Sequence, residues 1–297
     1  MASFAILVDS TADMSPEMLK QYNVDYCPMN YTMDGKEYPA LLDWSIHSSK
    51  EFYDFMRNGI IIKTTQVPIT VFQQKFETNA AEGRDVLYIS CSSALSGSYN
   101  AALPIAKDIM DAYPGRTVRC VDSLISSLGQ ANLAIVAAAM RDEGKNVNEV
   151  ADYLESIRLT RHQFATVDNL EYLKRCGRVS ATSAFFGNFF GIHPLIISDR
   201  IGQNYAVRKI KGAKNVLPEL AAEIKKAAIS PETQTLYISH ADNEEQALAL
   251  RDLVLADTPF KDSVIGIIGP IVGASVGPGT ISTYVIGEEV TIQGGES

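Results

Sequence analysis

Three observations predict an α/β fold built largely on a parallel sheet. Short β-rich runs at Ala5–Val8, Asp85–Ile89 and Thr117–Val121 each end in a polar loop. Apolar residues at helical spacing follow each loop, and the connections are short, the mark of right-handed strand–helix–strand units. The chain has 297 residues, 46% hydrophobic and 21% charged, enough for two domains with a substantial core.

Taken in order, Ala5–Val8 leads through Asp9-Ser10-Thr11-Ala12-Asp13 to Ser15-Pro16-Glu17, an N-cap with proline at the first helical position. Residues Val24 to Met33 read as one strand, closed by an Asp34-Gly35 turn. Trp44, a core or lid residue, precedes a short helix over Lys50 to Arg57. Lys63-Thr64-Thr65-Gln66-Val67-Pro68 reads as a hydroxyl-rich loop before a helix with Val71, Phe72, Phe76 and Ala80 on one face. The strand Asp85–Ile89 opens into Ser90-Cys91-Ser92-Ser93-Ala94-Leu95-Ser96-Gly97-Ser98-Tyr99, with a helix over Asn100 to Tyr113 behind it. Strand Thr117–Val121 ends in Asp122-Ser123. Helices over Ser127 to Arg141 and Val147 to Leu159 complete a first domain, residues 1–160.

A second α/β domain with a mixed sheet is expected over residues 161–290. It takes a strand at Phe164–Val167, a short helix at Leu170–Lys174 and a turn at Cys176-Gly177-Arg178. Phe185, Phe186, Phe189 and Phe190 fall on one helical stripe, which suits core packing or the wall of an alkyl-chain tunnel. A hairpin at Leu195–Ile197 and Tyr205–Ile210 follows. Helices over Val216 to Ile229 and Asn243 to Ala256 alternate with strands Leu236–His240, Val264–Ile268 and Ile281–Ile286. Gly269 to Gly279 reads as a glycine- and proline-rich loop, either closing on the first domain's ligand edge or serving as a crossover. Residues 291–297 read as a disordered tail.

The serine-rich stretch is the candidate site. It lies between a strand's C-terminal end and a helix N-terminus, where ligands bind in open α/β sheets and where free N–H groups favour anions. Five serines in nine residues exceed what N-capping requires and point to an anion or carboxylate. A net charge of −9 argues against nucleic acid and against a permanent hold on anionic membrane. No secretory signal and no membrane-length apolar run is visible. Cys27, Cys91, Cys120 and Cys176 have no C-x-x-C spacing, which fits reduced thiols in a cytoplasmic protein. His47, His162, His193 and His240 form no metal-ligand pattern, and no G-x-G-x-x-G or Gly-Lys-Ser/Thr phosphate loop is present. Ser96 lacks the first glycine of a nucleophile elbow; His240 with Asp242 is the one sequence-local pair available to an esterase.

Asp9-Ser10-Thr11-Ala12-Asp13, Thr64-Thr65-Gln66, Leu95-Ser96-Gly97-Ser98-Tyr99 and Asp122-Ser123 resemble motifs of the DegV family of bacterial fatty-acid-binding proteins. Leu170-Glu171-Tyr172-Leu173-Lys174, Gly177-Arg178, His240-Ala241-Asp242 and Gly269-Pro270 through Gly277-Pro278-Gly279 continue the likeness, which spans residues 5 to 287. The resemblance implies two α/β domains clamping a long-chain fatty acid such as palmitate, with no other cofactor. Its carboxylate would be held by Thr64, Thr65, Ser96, Gly97 and Ser275, and its chain would pass a wall that includes Phe185, Phe186 and Phe189. Some members carry the acyl group for a separate ATP-dependent fatty acid kinase, which Arg178 would contact; the chain itself would not be a catalyst. The rival readings are a stand-alone esterase using Ser96 and a carrier or sensor of another amphiphile.

Three positions depart from the family pattern. Val67 shifts the loop's proline by one, Ser275 stands where a histidine is expected, and Cys176 replaces a glycine before Gly177-Arg178. A serine keeps a hydrogen bond but cannot carry positive charge.

Overall fold

The computed structural model describes residues 4–180 and 191–294. Strands β1 (Phe4–Asp9), β2 (Val24–Cys27), β6 (Asp85–Ser90) and β7 (Val118–Asp122) form a four-stranded parallel sheet in the order β2-β1-β6-β7. A second, mixed sheet of seven strands takes β8 (Arg161–Thr166), β9 (Val179–Ser180), β10 (Ile192–Ser198), β11 (Asn204–Lys211), β12 (Thr235–His240), β13 (Asp262–Ile267) and β14 (Ile281–Ile286). Its order is β13-β12-β14-β8-β10-β11-β9. All strands of the parallel sheet precede residue 160, and all strands of the mixed sheet follow it.

The helices fall where periodicity and caps direct them. Helix α1 (Pro16–Tyr22) starts at Ser15, whose hydroxyl accepts the Met18 N–H, and α2 (Ser49–Arg57) carries a Ser48/Glu51 capping box. Helices α3 (Ile69–Ala81), α4 (Ser98–Ala112), α5 (Ser127–Asp142) and α6 (Val147–Ile157) follow the expected pattern. Later come α7 (Leu170–Cys176), α8 (Val216–Ala227), α9 (Glu244–Leu255) and α10 (Pro270–Val276). Helix α5 is the shared element: Leu128, Leu133 and Ala134 are buried in one cluster with Ile6 and Val8 of β1 and with Tyr237 and Tyr284 of the mixed sheet.

Three expectations are corrected. The single strand over Val24 to Met33 breaks at Pro28, which has no N–H to give a ladder. Strand β2 stays in the parallel sheet, while β3 (Asn30–Met33) leaves it to pair with β4 (Lys36–Pro39). The Thr64 loop is a strand, β5 (Lys63–Thr65), antiparallel to β3 with Tyr31 opposite Thr64. The glycine- and proline-rich loop is largely helix α10: Gly269 is its N-cap, Pro270 its first residue, and Gly277 ends it at φ 81°.

At the C-terminal end, residues 291–294 are tied to the β10–β11 turn. Ile292 O accepts the Arg200 N–H at 2.8 Å, and the Gly294 N–H donates to Asp199 at 2.9 Å. The remaining tail and the stripe Phe185, Phe186 and Phe189 lie outside the described residues. Among the described residues no helix is long and apolar enough to cross a membrane.

Candidate functional site

The site is built up from Asp9, at the C-terminal end of β1. Asp9 is completely buried, and donors converge on it. Oδ1 faces the Thr11 N–H at 3.0 Å, the Thr11 hydroxyl and Gln130 Nε2; Oδ2 accepts from Tyr88 at 3.0 Å and from the Cys91 N–H at 2.8 Å. A buried carboxyl needs several hydrogen-bond partners, and here they come from the turn after β1, from β6 and the loop behind it, and from α5. Asp9 thereby fixes the start of the serine-rich loop against the first loop.

Above this floor, Ser98 ties two loops together. It is fully buried, its hydroxyl accepts the Val67 N–H at 3.2 Å, and it lies 3.0 Å from the Ser96 hydroxyl. Gly97 has no side chain for a related reason: a Cβ there would lie 2.2 Å from Gln66 Oε1. The loop leading into α4 and the segment after β5 therefore interlock through Ser98–Val67 and Gly97–Gln66. The serine count is explained in part by this construction. Ser90, Ser92 and Ser98 are fully buried; Ser90 pairs with Tyr88, and Ser92 accepts the Ala94 N–H. Ser96 alone of the five lines the cavity described next.

Thr64, Thr65, Ser96, Gly97 and Ser275 all line one cavity of about 180 Å³. They come from β5, from the turn into α4 and from α10, segments far apart in the chain. Arg178 lines the same cavity, exposed just past the C-terminus of α7. Gly97 is the N-cap of α4, so the first amides of a 15-residue helix face this region. The Thr65 hydroxyl already reaches Asn30 O at 3.4 Å, and the Ser275 hydroxyl reaches Ile271 O at 3.4 Å. Apolar groups lining the same cavity include Met29, Leu95, Ile271 and Val276. The arrangement offers neutral donors, helix amides and one guanidinium beside hydrocarbon, the mixture a carboxylate on an alkyl chain requires.

His240 and Asp242 do not join Ser96. His240 accepts the Asn243 N–H on Nδ1 and lines a separate groove of about 750 Å³ with Asp13 and Trp44; burial lowers its affinity for a proton. Asp242 pairs instead with Arg57 at 2.6 Å. No histidine is among the described residues lining the Ser96 cavity. All four cysteines are free thiols, and burial raises the proton affinity of Cys91 at the cavity floor. Among the described residues no group of histidine, cysteine and carboxylate side chains is placed to hold a metal.

A family model described as an uncharacterised protein, DegV family, matches residues 3–288. The chain belongs to the DegV family. A DegV domain-containing protein of Clostridium perfringens is 34% identical over 288 residues, covering 97% of this chain and 99% of the relative. A protein of Thermotoga maritima named fatty acid-binding protein is 30% identical over 284 residues, covering 93% and 95%. The crystal structure of a DegV lipid binding protein from Thermotoga maritima superposes with a TM-score of 0.84 at 28% identity, over 97% of this chain and 100% of that one. A structure described as showing fatty acid binding of a DegV family protein from Thermus thermophilus gives 0.85 at 25% identity, covering 96% and 99%.

Sequence reasoning missed several residues at this DegV site. Thr11, Gln66, Cys91, Ser126 and Asn204 also line the cavity. Thr11 and Gln66 stood inside quoted motifs, so position beside Ser96 was their signal. Asn204 opens β11, and nothing local marks it. Asp9, with five donor contacts, is the anchor of the floor.

Proposed function

We propose that this DegV chain is a long-chain fatty-acid carrier, with the carboxylate at Thr64, Thr65, Ser96, Gly97 and Ser275 and the alkyl chain running inward between the parallel and mixed sheets. In this reading residues 1–160 and 161–290 act as the two domains of the clamp. The observation that carries it is the convergence of those five residues, from three segments, on one cavity. The named activities of the Thermotoga and Thermus relatives support the same ligand class.

The energetics fit retention. Burying the fourteen methylenes of palmitate at ~0.8 kcal/mol each contributes roughly 10 kcal/mol gross, of the order of the translational, rotational and ordering costs it must offset. The carboxylate is held without a lysine or histidine at the described wall, by hydroxyls and α4 amides, with Arg178 at the rim.

The chain acts by presentation rather than catalysis. It exposes the carboxylate to a separate ATP-dependent kinase in the cytoplasm, and Arg178 meets the incoming phosphate or partner. Ser275, on α10, gives a hydrogen bond but no positive charge, so any charge needed in transfer comes from the partner or from Arg178.

Mass spectrometry of the purified protein, native and after organic extraction, tests the carrier reading. The expected result is one free fatty acid per chain, or saturable uptake of added palmitate by the apo protein. A chain that neither retains nor takes up any long-chain acid overturns it.

A further inference from the structure

The Ser96 cavity continues inward past Val272 and Val276. A small inner chamber of about 30 Å³ shares Ser126, Asn204, Val272 and Val276 with the Ser96 cavity and continues toward β8 and β14. Its far wall carries Gln163, Ser282 and Tyr284, and Thr280 lies beside them. Six of the fourteen lining residues bear hydrogen-bonding side chains set among eight apolar ones, the mixture in which a few placed polar groups select a ligand's substituents.

These groups are arranged in a consistent way. Ser282 donates to the Tyr284 hydroxyl at 2.9 Å, and Gln163 Nε2 donates to Asn204 Oδ1 at 3.0 Å. Ser126 is only 6% exposed, makes no side-chain cap on α5 and lines both cavities. A plain alkyl chain threaded past Ser126 strips water from its hydroxyl and returns nothing, which is unfavourable. The volume is that of one or two small polar groups with several partners within reach.

We propose that the inner chamber recognises an oxygen substituent on the chain, so that this protein prefers a hydroxylated or oxo long-chain acid to the saturated acid of equal length. The inference rests on the fatty-acid reading above and specifies the ligand class within it. The substituent is neutral. No described lining residue of the chamber is charged, and burial raises the Tyr284 phenol to about 12, so a second carboxylate would find no counter-charge.

The experiment is a set of displacement titrations with stearic acid, with its hydroxy isomers substituted at different carbons and with the matching oxo acids. They are run on the wild type, Tyr284→Phe and Ser282→Ala, with thermal melts confirming that each variant is folded. The expected result is one positional isomer binding at least tenfold more tightly than stearic acid, and a ratio falling toward one in either folded variant. Stearic acid binding as tightly as every substituted isomer overturns the inference, because water then fills the chamber, while the carrier reading stands. A preference unaltered by both substitutions also overturns it, by placing recognition elsewhere. Failure of every acid to bind removes the carrier reading and the inference together.

Discussion

Asp9 and Asp13 stand four residues apart in one loop, both buried, and are treated in opposite ways. Asp9 meets donors from Thr11, Tyr88, Cys91 and Gln130. Asp13 has the Gly269 N–H on Oδ1 at 2.9 Å, while its Oδ2 has no hydrogen-bond partner. Burial pushes the Asp13 carboxyl up to about 8, opposed by the Ser127 hydroxyl and then by the Gly269 N–H. The lesson is that donors, more than depth, decide whether the oxygens of a buried carboxyl are satisfied. Asp9 organises the floor of the site. Asp13 joins the first loop to the start of α10, whose far end carries Ser275.

The largest effect is expected at Asp9. Asp9→Ala leaves the Cys91 and Thr11 N–H groups without their acceptor, at about 1–3 kcal/mol each, and takes one of two acceptors from Tyr88 and Gln130, which keep Ser90 and the Ile89 carbonyl. A combined destabilisation of ~3–5 kcal/mol is expected in urea unfolding; a loss below about 1 kcal/mol would make the convergence of donors irrelevant to the fold.

Asp13 sharpens the contrast through pH. Its folded value lies above that of the unfolded chain, so the folded state holds a proton that the unfolded state has released. Its contribution to stability is therefore present below pH 4 and lost as pH rises toward 8, at up to about 1.4 kcal/mol per pH unit between those limits. Asp13→Asn keeps an acceptor for Gly269 and cannot ionise. The wild-type minus variant difference, measured by denaturant melts from pH 5 to 8, is expected to fall with rising pH; a flat difference would place Asp13 among ordinary carboxylates.

Ser98→Ala removes the acceptor of the buried Val67 N–H and is expected to cost ~1–2 kcal/mol of stability. Smaller still, Ser96→Ala is expected to cost about 0.5 kcal/mol, because its part-buried hydroxyl accepts the Ser98 N–H at 3.2 Å but also opens onto the cavity. If Ser96 and Ser98 prove equal in stability, the division between loop-building and cavity-lining serines fails.

Much of this was legible beforehand. The β1, β6 and β7 runs followed by helical periodicity specify the parallel sheet, and Ser15 and Pro16 mark the start of α1. The Gly269–Gly279 segment was misread because its glycines look like breakers. Gly273 lies inside α10, where a Cβ would come within 2.4 Å of the Tyr53 hydroxyl, so the glycine serves close packing against α2. The Thr64 strand is three residues long, too short for periodicity to show, and it exists because β3 offers an edge. Thr64, Ser96 and Ser275 were identified as site residues from motifs, and the fold brings them to one cavity. The inner wall of Gln163, Ser282 and Tyr284 was not legible, since alternate residues of two strands meet there through tertiary pairing alone: Ser282 opposite Ala165 and Tyr284 opposite Gln163.

The central claim is that the β5 and α4 loops hold a fatty-acid carboxylate. Equilibrium titration of palmitate against the wild type and the Thr64→Ala/Ser96→Ala double variant tests it most directly. Each lost hydrogen bond to the carboxylate is expected to weaken binding by ~1–3 kcal/mol, so the double variant should bind at least tenfold more weakly while melting near the wild type. A folded double variant with wild-type affinity would contradict the account and move the carboxylate out of these loops.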